Sequence, residues 1–167
     1  LIVSAFMPAK MMVTRSTVIN VPTLSVFGEV NNLKNWEKWS PWKALDPAME
    51  ETFSENSEGV GAWSSWKGPQ AGSGKQTIVE SRTNEFIKTS LDFDEEGGNL
   101  NYTLWNFKDS VGSAIVSWGF DGAEMPFYYR ILVGFGTGMI EKEFDNGLRN
   151  LKTVCESKPA EMPKMTY

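Results

Sequence analysis

The sequence of 167 residues contains no histidine and one cysteine, Cys155. Without an imidazole the chain cannot form a serine triad, a cysteine–histidine dyad or a histidine-ligated metal site. One cysteine also excludes an internal disulfide and any site with several cysteine ligands. Any catalytic proton transfer would have to use carboxylates, tyrosine, lysine or bound water.

Positive charge is scarce as well. The 16 Lys and Arg residues stand against 21 Asp and Glu residues, which gives a net charge of −5. Proteins that bind nucleic acid electrostatically carry a basic patch, and no cluster of Lys or Arg occurs in this sequence. We therefore expect no nucleic-acid partner, and no residue pattern indicates a cofactor.

Large apolar side chains are abundant, with seven Trp, ten Phe and eight Met. A chain of this length is expected to form one domain with a substantial core. Side chains of this kind either fill such a core or line a pocket for an apolar molecule.

The two ends of the chain differ in composition from the rest. Leu1–Phe6 (LIVSAF) is apolar and is followed by Pro8, but a membrane span needs roughly 20 residues. This segment predicts either the end of an N-terminal anchor or signal segment, or a terminal strand or arm. We expect an arm at residues 1–10, a folded domain at 11–157 and a flexible tail at 158–167, in a cytoplasmic or membrane-anchored protein.

Short β-prone segments separated by turn residues make up most of the chain. Two short helices are predicted after the first strand, one starting at Pro22 and one holding Leu33, Trp36 and Trp39. One face of the later strands is apolar, as in a sheet with one covered face. The predicted strands are Met11–Asn20, Glu50–Ser54, Gly61–Lys67, Lys75–Ser81, Glu85–Phe93, Leu100–Lys108 and Ser113–Phe120.

The clearest helix is predicted near Met139–Glu156. Its apolar residues fall within a stripe about 120° wide, and Cys155 lies on that stripe, which indicates a buried, unreactive thiol. The order of elements predicts an α+β fold in which a curved antiparallel sheet of seven strands wraps around this helix. The stripe comprises Ile140, Phe144, Gly147, Leu148, Leu151, Val154 and Cys155.

One glycine-rich segment imitates a phosphate-binding loop. Gly68–Lys75 (GPQAGSGK) has five residues between its glycines, whereas the phosphate loop has four, and Gln76 follows the lysine. We interpret the segment as the connection of a β-hairpin.

Several motifs between Val13 and Glu156 together resemble the SRPBCC superfamily, the START-like group of polyketide cyclase/dehydrase and lipid transport proteins. The most specific are Trp39-Ser40-Pro41-Trp42, preceded by Trp36, and Gly147-Leu148 followed by Leu151-Lys152. The resemblance implies a helix-grip fold that encloses an apolar cavity between sheet and helix. It implies no particular activity, because the superfamily contains carriers, receptors and enzymes. Similar proteins often carry an N-terminal membrane helix, which Leu1–Pro8 resembles.

The first functional hypothesis is that the chain binds or transports a small hydrophobic or amphipathic molecule without catalysis. Gly147 lies in the middle of the helix stripe, where a missing side chain either permits close helix–sheet contact or leaves room for a ligand. The predicted cavity wall consists of Trp66, Ile78, Leu91, Val116, Trp118, Phe120, Phe144 and Leu148.

Two further hypotheses come from other classes of protein. A cyclase or dehydratase would fold a poly-carbonyl substrate in the cavity and move protons with a carboxylate, tyrosine or lysine. Its candidate residues are Glu80, Tyr102 and Arg130, and Glu80 alternates with Ile78 in the predicted strand. The third hypothesis is a protein-interaction or regulatory module.

Overall fold

The computed structural model describes residues 10–93, 100–124 and 130–158. Most of the predicted N-terminal arm and of the predicted tail therefore lies outside the described residues. In chain order the elements are β1 Lys10–Ile19, α1 Thr23–Asn31, a 3-10 helix Leu33–Lys38, α2 Trp42–Leu45, β2 Glu50–Phe53, β3 Trp63–Gly68, β4 Gly72–Arg82, β5 Phe86–Asp92, β6 Asn101–Ser110, β7 Ser113–Glu124 and α3 Arg130–Ser157.

The seven strands form one antiparallel sheet in the order β1-β7-β6-β5-β4-β3-β2. Strands β2 to β7 follow one another as neighbours, and β1 joins the far side of β7. The sheet curves around α3, so the predicted α+β helix-grip architecture is confirmed.

Aromatic rings hold the helix to the sheet. Trp118 on β7 stacks on Trp105 of β6 with ring centroids 4.6 Å apart, and on Phe144 of α3 at 3.9 Å. Trp36 and Trp39 pack edge-on against both tryptophans at 5.7–6.0 Å. Trp36 and Trp39 therefore close the core at this end of the sheet.

Polar contacts also hold α3 against the sheet. The Arg15 guanidinium on β1 donates to both carboxylate oxygens of Asp145 at 2.8 Å. Farther along α3, the Lys152 ammonium donates to the backbone carbonyl of Val18 at 2.7 Å. The C-terminal half of α3 is thus held firmly against β1.

Helix α3 starts at Arg130, nine residues before the predicted start at Met139. The prediction started at Met139 because the apolar stripe begins at Ile140; the preceding glycines at 134, 136 and 138 each cost up to about 1 kcal/mol in a helix. Extending an existing helix adds one hydrogen bond per residue without a new nucleation cost, and here the helix continues through them.

The connection between β1 and β2 contains a third helical segment. The 3-10 helix ends at Lys38, before Pro41, and one further helical turn, α2, follows Pro41. Proline is well tolerated at the start of a helix, because its missing N–H would have no partner there. Within the described residues, no helix is both long and apolar enough to cross a membrane.

Candidate ligand-binding cavity

A cavity of about 660 Å³ lies between the inner face of the sheet and the helical segments. Met49 and the sheet residues Trp66, Leu91 and Phe120 contribute to its wall. Trp42 and Leu45 of α2 line one side, and Met139 and Ile140 of α3 line another. The lining is predominantly apolar, as in sites for small molecules.

Four of the eight residues predicted to form the cavity wall line it. They are Trp66, Leu91, Trp118 and Phe120. The other four, Ile78, Val116, Phe144 and Leu148, are at most 2% exposed and belong to the packed core. The structure therefore brings together the strand residues at one end of the sheet, and their contact with a ligand stays a prediction.

Gly147 allows α3 to touch the sheet close to Phe144 and Leu148, which lie in the packed core. A Cβ atom at this position would lie 2.7 Å from Cζ3 of Trp118 and 3.0 Å from Cδ of Pro41. Of the two interpretations of this glycine, close helix–sheet contact is therefore the one observed. Helix and sheet touch here, and the cavity is confined to the region beyond this contact.

Sequence reasoning missed the wall that comes from the connection between β1 and β2. Trp42, Leu45 and Met49 lie in or beside a single helical turn, which is too short to show periodicity. Gln76 and Phe93 also line the cavity. They occupy the same strand faces as Ile78 and Leu91, so the period of two residues could have identified them.

Most polar side chains in the wall already have partners. The Gln76 amide donates to the Ser64 hydroxyl at 3.0 Å. The hydroxyls of Thr89 and Thr103 share a hydrogen bond of 2.6 Å, and the Asn101 side-chain oxygen accepts the Ala123 N–H at 2.8 Å. These groups satisfy one another and leave the cavity interior largely apolar.

Asp46 holds the connection between β3 and β4 against the cavity wall. Its carboxylate is buried and accepts the backbone N–H groups of Gln70 at 2.9 Å and Ala71 at 2.8 Å. The hydrogen bond from Ala71 is the largest of the influences that lower the pKa of Asp46. Gly68 allows this approach, since a Cβ there would lie 2.2 Å from an Asp46 oxygen. The glycine-rich segment is thus the β3–β4 hairpin connection, docked on Asp46.

Glu51 on β2 places a second carboxylate in the wall. It lies directly across from Trp66 in the β2–β3 ladder, so the two side chains share the inner face. Burial raises the pKa of Glu51, and the nearby Glu37 carboxylate raises it further, against the opposing effect of Lys43. Glu51 was not among the predicted site residues, although its alternation with the apolar Phe53 is a signal for this face.

Two of the three polar residues proposed for proton transfer, Glu80 and Tyr102, do not face the cavity. A β-bulge lies between Ile78 and Glu80: Ile78 pairs with the buried Thr89, but Glu80 pairs with Lys88 on the outer face. The extra residue, Val79, reverses the alternation on which the prediction for Glu80 rested.

Tyr102 also lies on the outer face. The Lys88 ammonium sits 4.2 Å from the centre of its ring. The side chain of the third candidate, Arg130, lies outside the described part of the structure. Among the described residues, no group of three or more Cys, Asp or Glu side chains could hold a metal ion.

No family model matches the sequence, and no curated protein matches it. Solved structures match over most of the chain. Truncated norcoclaurine synthase from Thalictrum flavum is 9% identical with a TM-score of 0.66, over 90% of this chain and 96% of that one. Ara h 8.0201 is 11% identical with a TM-score of 0.59, over 89% of this chain and 99% of that one.

A bacterial structure gives the same result. A protein from Chromobacterium violaceum is 15% identical with a TM-score of 0.64, over 88% of this chain and 98% of that one. At such identities the likeness is one of fold. The chain has the START-like helix-grip fold that the sequence motifs implied.

Proposed function

We propose that this chain binds a small apolar or amphipathic molecule in the cavity and carries or senses it without changing it chemically. The observation that carries the proposal is the cavity of about 660 Å³, whose wall is mainly aromatic and aliphatic. Sites for small molecules commonly measure roughly 300–1,000 Å³ and are lined in this way.

The area available for contact sets the strength of binding. Removing about 300 Å² of apolar ligand surface from water contributes about 7 kcal/mol before the costs of association are subtracted. We therefore expect dissociation constants in the micromolar range at best. Such affinity suits a protein that must release its ligand again.

The enzymatic alternative has less support. Two of its candidate residues, Glu80 and Tyr102, face away from the cavity. Binding is the function that the described wall supports best.

A cavity-filling variant tests this proposal. Leu91 is half-buried in the wall, so Leu91→Trp should occupy part of the space that a ligand needs. We expect 1-decanol to bind saturably to the unmodified chain in isothermal titration calorimetry. The variant should bind at least about tenfold more weakly, which corresponds to about 1.4 kcal/mol.

Ile115→Trp is the matched control. Ile115 is exposed on the outer face of β7, and the same enlargement there should leave decanol affinity unchanged. Melting temperatures of both variants show that each is folded. Absence of saturable decanol binding, or equal affinity in the two variants, would contradict the proposed cavity function.

A further inference from the structure

The charges in the cavity wall are of one sign. Among the described residues that line it, Asp46 and Glu51 are acidic and none is basic. Asp46 is 1% exposed: its Oδ2 accepts two backbone N–H groups of the hairpin, and its Oδ1 is buried away from solvent without a partner among the described residues. Glu51 is therefore the charged group in the wall that a ligand can engage.

The Glu51 carboxylate has no hydrogen bond or ion pair with any of the described residues, and the side chain is partly buried. The basic group that acts on it, Lys43 of α2, donates to the backbone carbonyl of Met49 instead. Glu37 on the 3-10 helix adds a second negative charge nearby. A carboxylate in partly apolar surroundings gains most from a cation brought by the ligand.

We propose that the cavity selects an amphipathic amine, whose ammonium group is held by the Glu51 carboxylate while its apolar part lies along the aromatic and aliphatic wall. This inference rests on the proposed binding function and names its ligand class. Trp66 lies beside Glu51 on the neighbouring strand and lines the same cavity, and the face of an indole also attracts cations. The overall charge of −5 favours the approach of a cation as well.

The proposal gives an order of affinity for ligands with the same chain. An ammonium group pairs with Glu51, a hydroxyl forms a neutral hydrogen bond, and a carboxylate places a like charge next to it. Decylamine should therefore bind more tightly than 1-decanol, and 1-decanol more tightly than decanoate.

Isothermal titration calorimetry at pH 7 with these three probes tests the order. We expect decylamine to bind at least about tenfold more tightly than 1-decanol. In Glu51→Gln this preference should disappear, and decanoate should bind better than it does to the unmodified chain. The matched control is Glu50→Gln, which removes the same charge from the exposed, opposite side of the same strand and should preserve the preference.

A pH series gives a second readout. Decylamine keeps its charge throughout, whereas Glu51 becomes neutral as the pH falls through its raised pKa. Decylamine affinity should fall over that interval and 1-decanol affinity should not. Glu37 is the second carboxylate near Glu51, so the series is repeated in Glu37→Gln. The loss should persist in this variant, because it comes from Glu51.

The outcomes separate the two proposals. Equal affinities for decylamine and 1-decanol, or a preference that survives in Glu51→Gln, would overturn the amine inference and leave the binding function standing. Failure of all three probes to bind would overturn both. The full order, lost in Glu51→Gln and kept in Glu50→Gln, supports both.

Discussion

Trp118 serves both the core and the cavity wall. Its ring stacks on Trp105 and on Phe144, and the same side chain lines the cavity. Removing it would take away core packing together with any ligand contact. Residues that belong to the wall alone, such as Leu91 and Glu51, therefore report on binding with less interference from stability.

Cys155 is a residue of a reactive type whose position makes it unreactive. It is 3% exposed on the core side of α3, and burial is the main influence that raises its pKa to about 12. Since the thiolate is the species that reacts, iodoacetamide at pH 8 should modify the folded chain at least about a hundredfold more slowly than free glutathione. Mass spectrometry of the intact chain over time measures this. Comparable rates would show that the thiol is accessible, and the chain unfolded in urea is the positive control.

At the scale of the elements, α3 has two different ends. Its C-terminal half carries the buried stripe and touches the sheet, whereas Met139 and Ile140 in its preceding turns line the cavity. The glycines of this helix differ accordingly. Gly147 lies against Trp118 and Pro41, but a Cβ at the exposed Gly138 would meet nothing within 4 Å.

Replacing each of these glycines by alanine should have opposite effects. Gly138→Ala should stabilise the fold by about 0.5–1 kcal/mol, because alanine is the better helix former. Gly147→Ala should destabilise it by roughly 1–3 kcal/mol, because the new methyl group overpacks a rigid aromatic contact. Urea unfolding of the two variants measures both values. Stabilisation by Gly147→Ala would contradict the close helix–sheet contact.

The elements could be predicted well from the sequence where periodicity is strong. The strand that contains Ile87 and Leu91 and the stripe around Leu148 show clear periods of two and 3.6 residues, and both occur as predicted. The bulge at Val79 and the start of α3 could not be predicted, because each depends on pairing and helix extension that leave no local pattern.

The cavity could be predicted only in part for a related reason. Alternation tells which face of a strand is covered, and so it found Trp66 and Leu91. It does not tell where along that face the helix stops touching the sheet. Phe144 and Leu148 lie where the helix still touches the sheet. The extent of this contact depends on Gly147 and on the packing of Trp118.

At the scale of the whole molecule, packing is uneven across the sheet. Strands β6 and β7 contain many fully buried side chains, including Trp105, Val116 and Trp118. Strand β2, at the other edge, has four residues and none of them is buried. The cavity is lined by residues of all seven strands, and at this edge Glu51 and Trp66 face it. We call the β2–β3 edge the hollow edge, because β2 contributes no buried side chain there, whereas β6 and β7 also pack in the core.

This asymmetry has a consequence for how amide hydrogens exchange with deuterated water. The hollow edge loses few buried contacts when it detaches, so β2 and its partner β3 should open locally and exchange early. The amides of β6 and β7 should exchange much later, because their exchange requires global unfolding. A molecule in the cavity binds only the closed form. At a concentration one hundred times its dissociation constant it should slow exchange at the β2–β3 edge by up to about a hundredfold. Hydrogen–deuterium exchange mass spectrometry with decylamine would reveal this, and uniform protection of all strands would contradict it. Ligand release would then proceed by transient opening of one sheet edge, while the aromatic core stays folded.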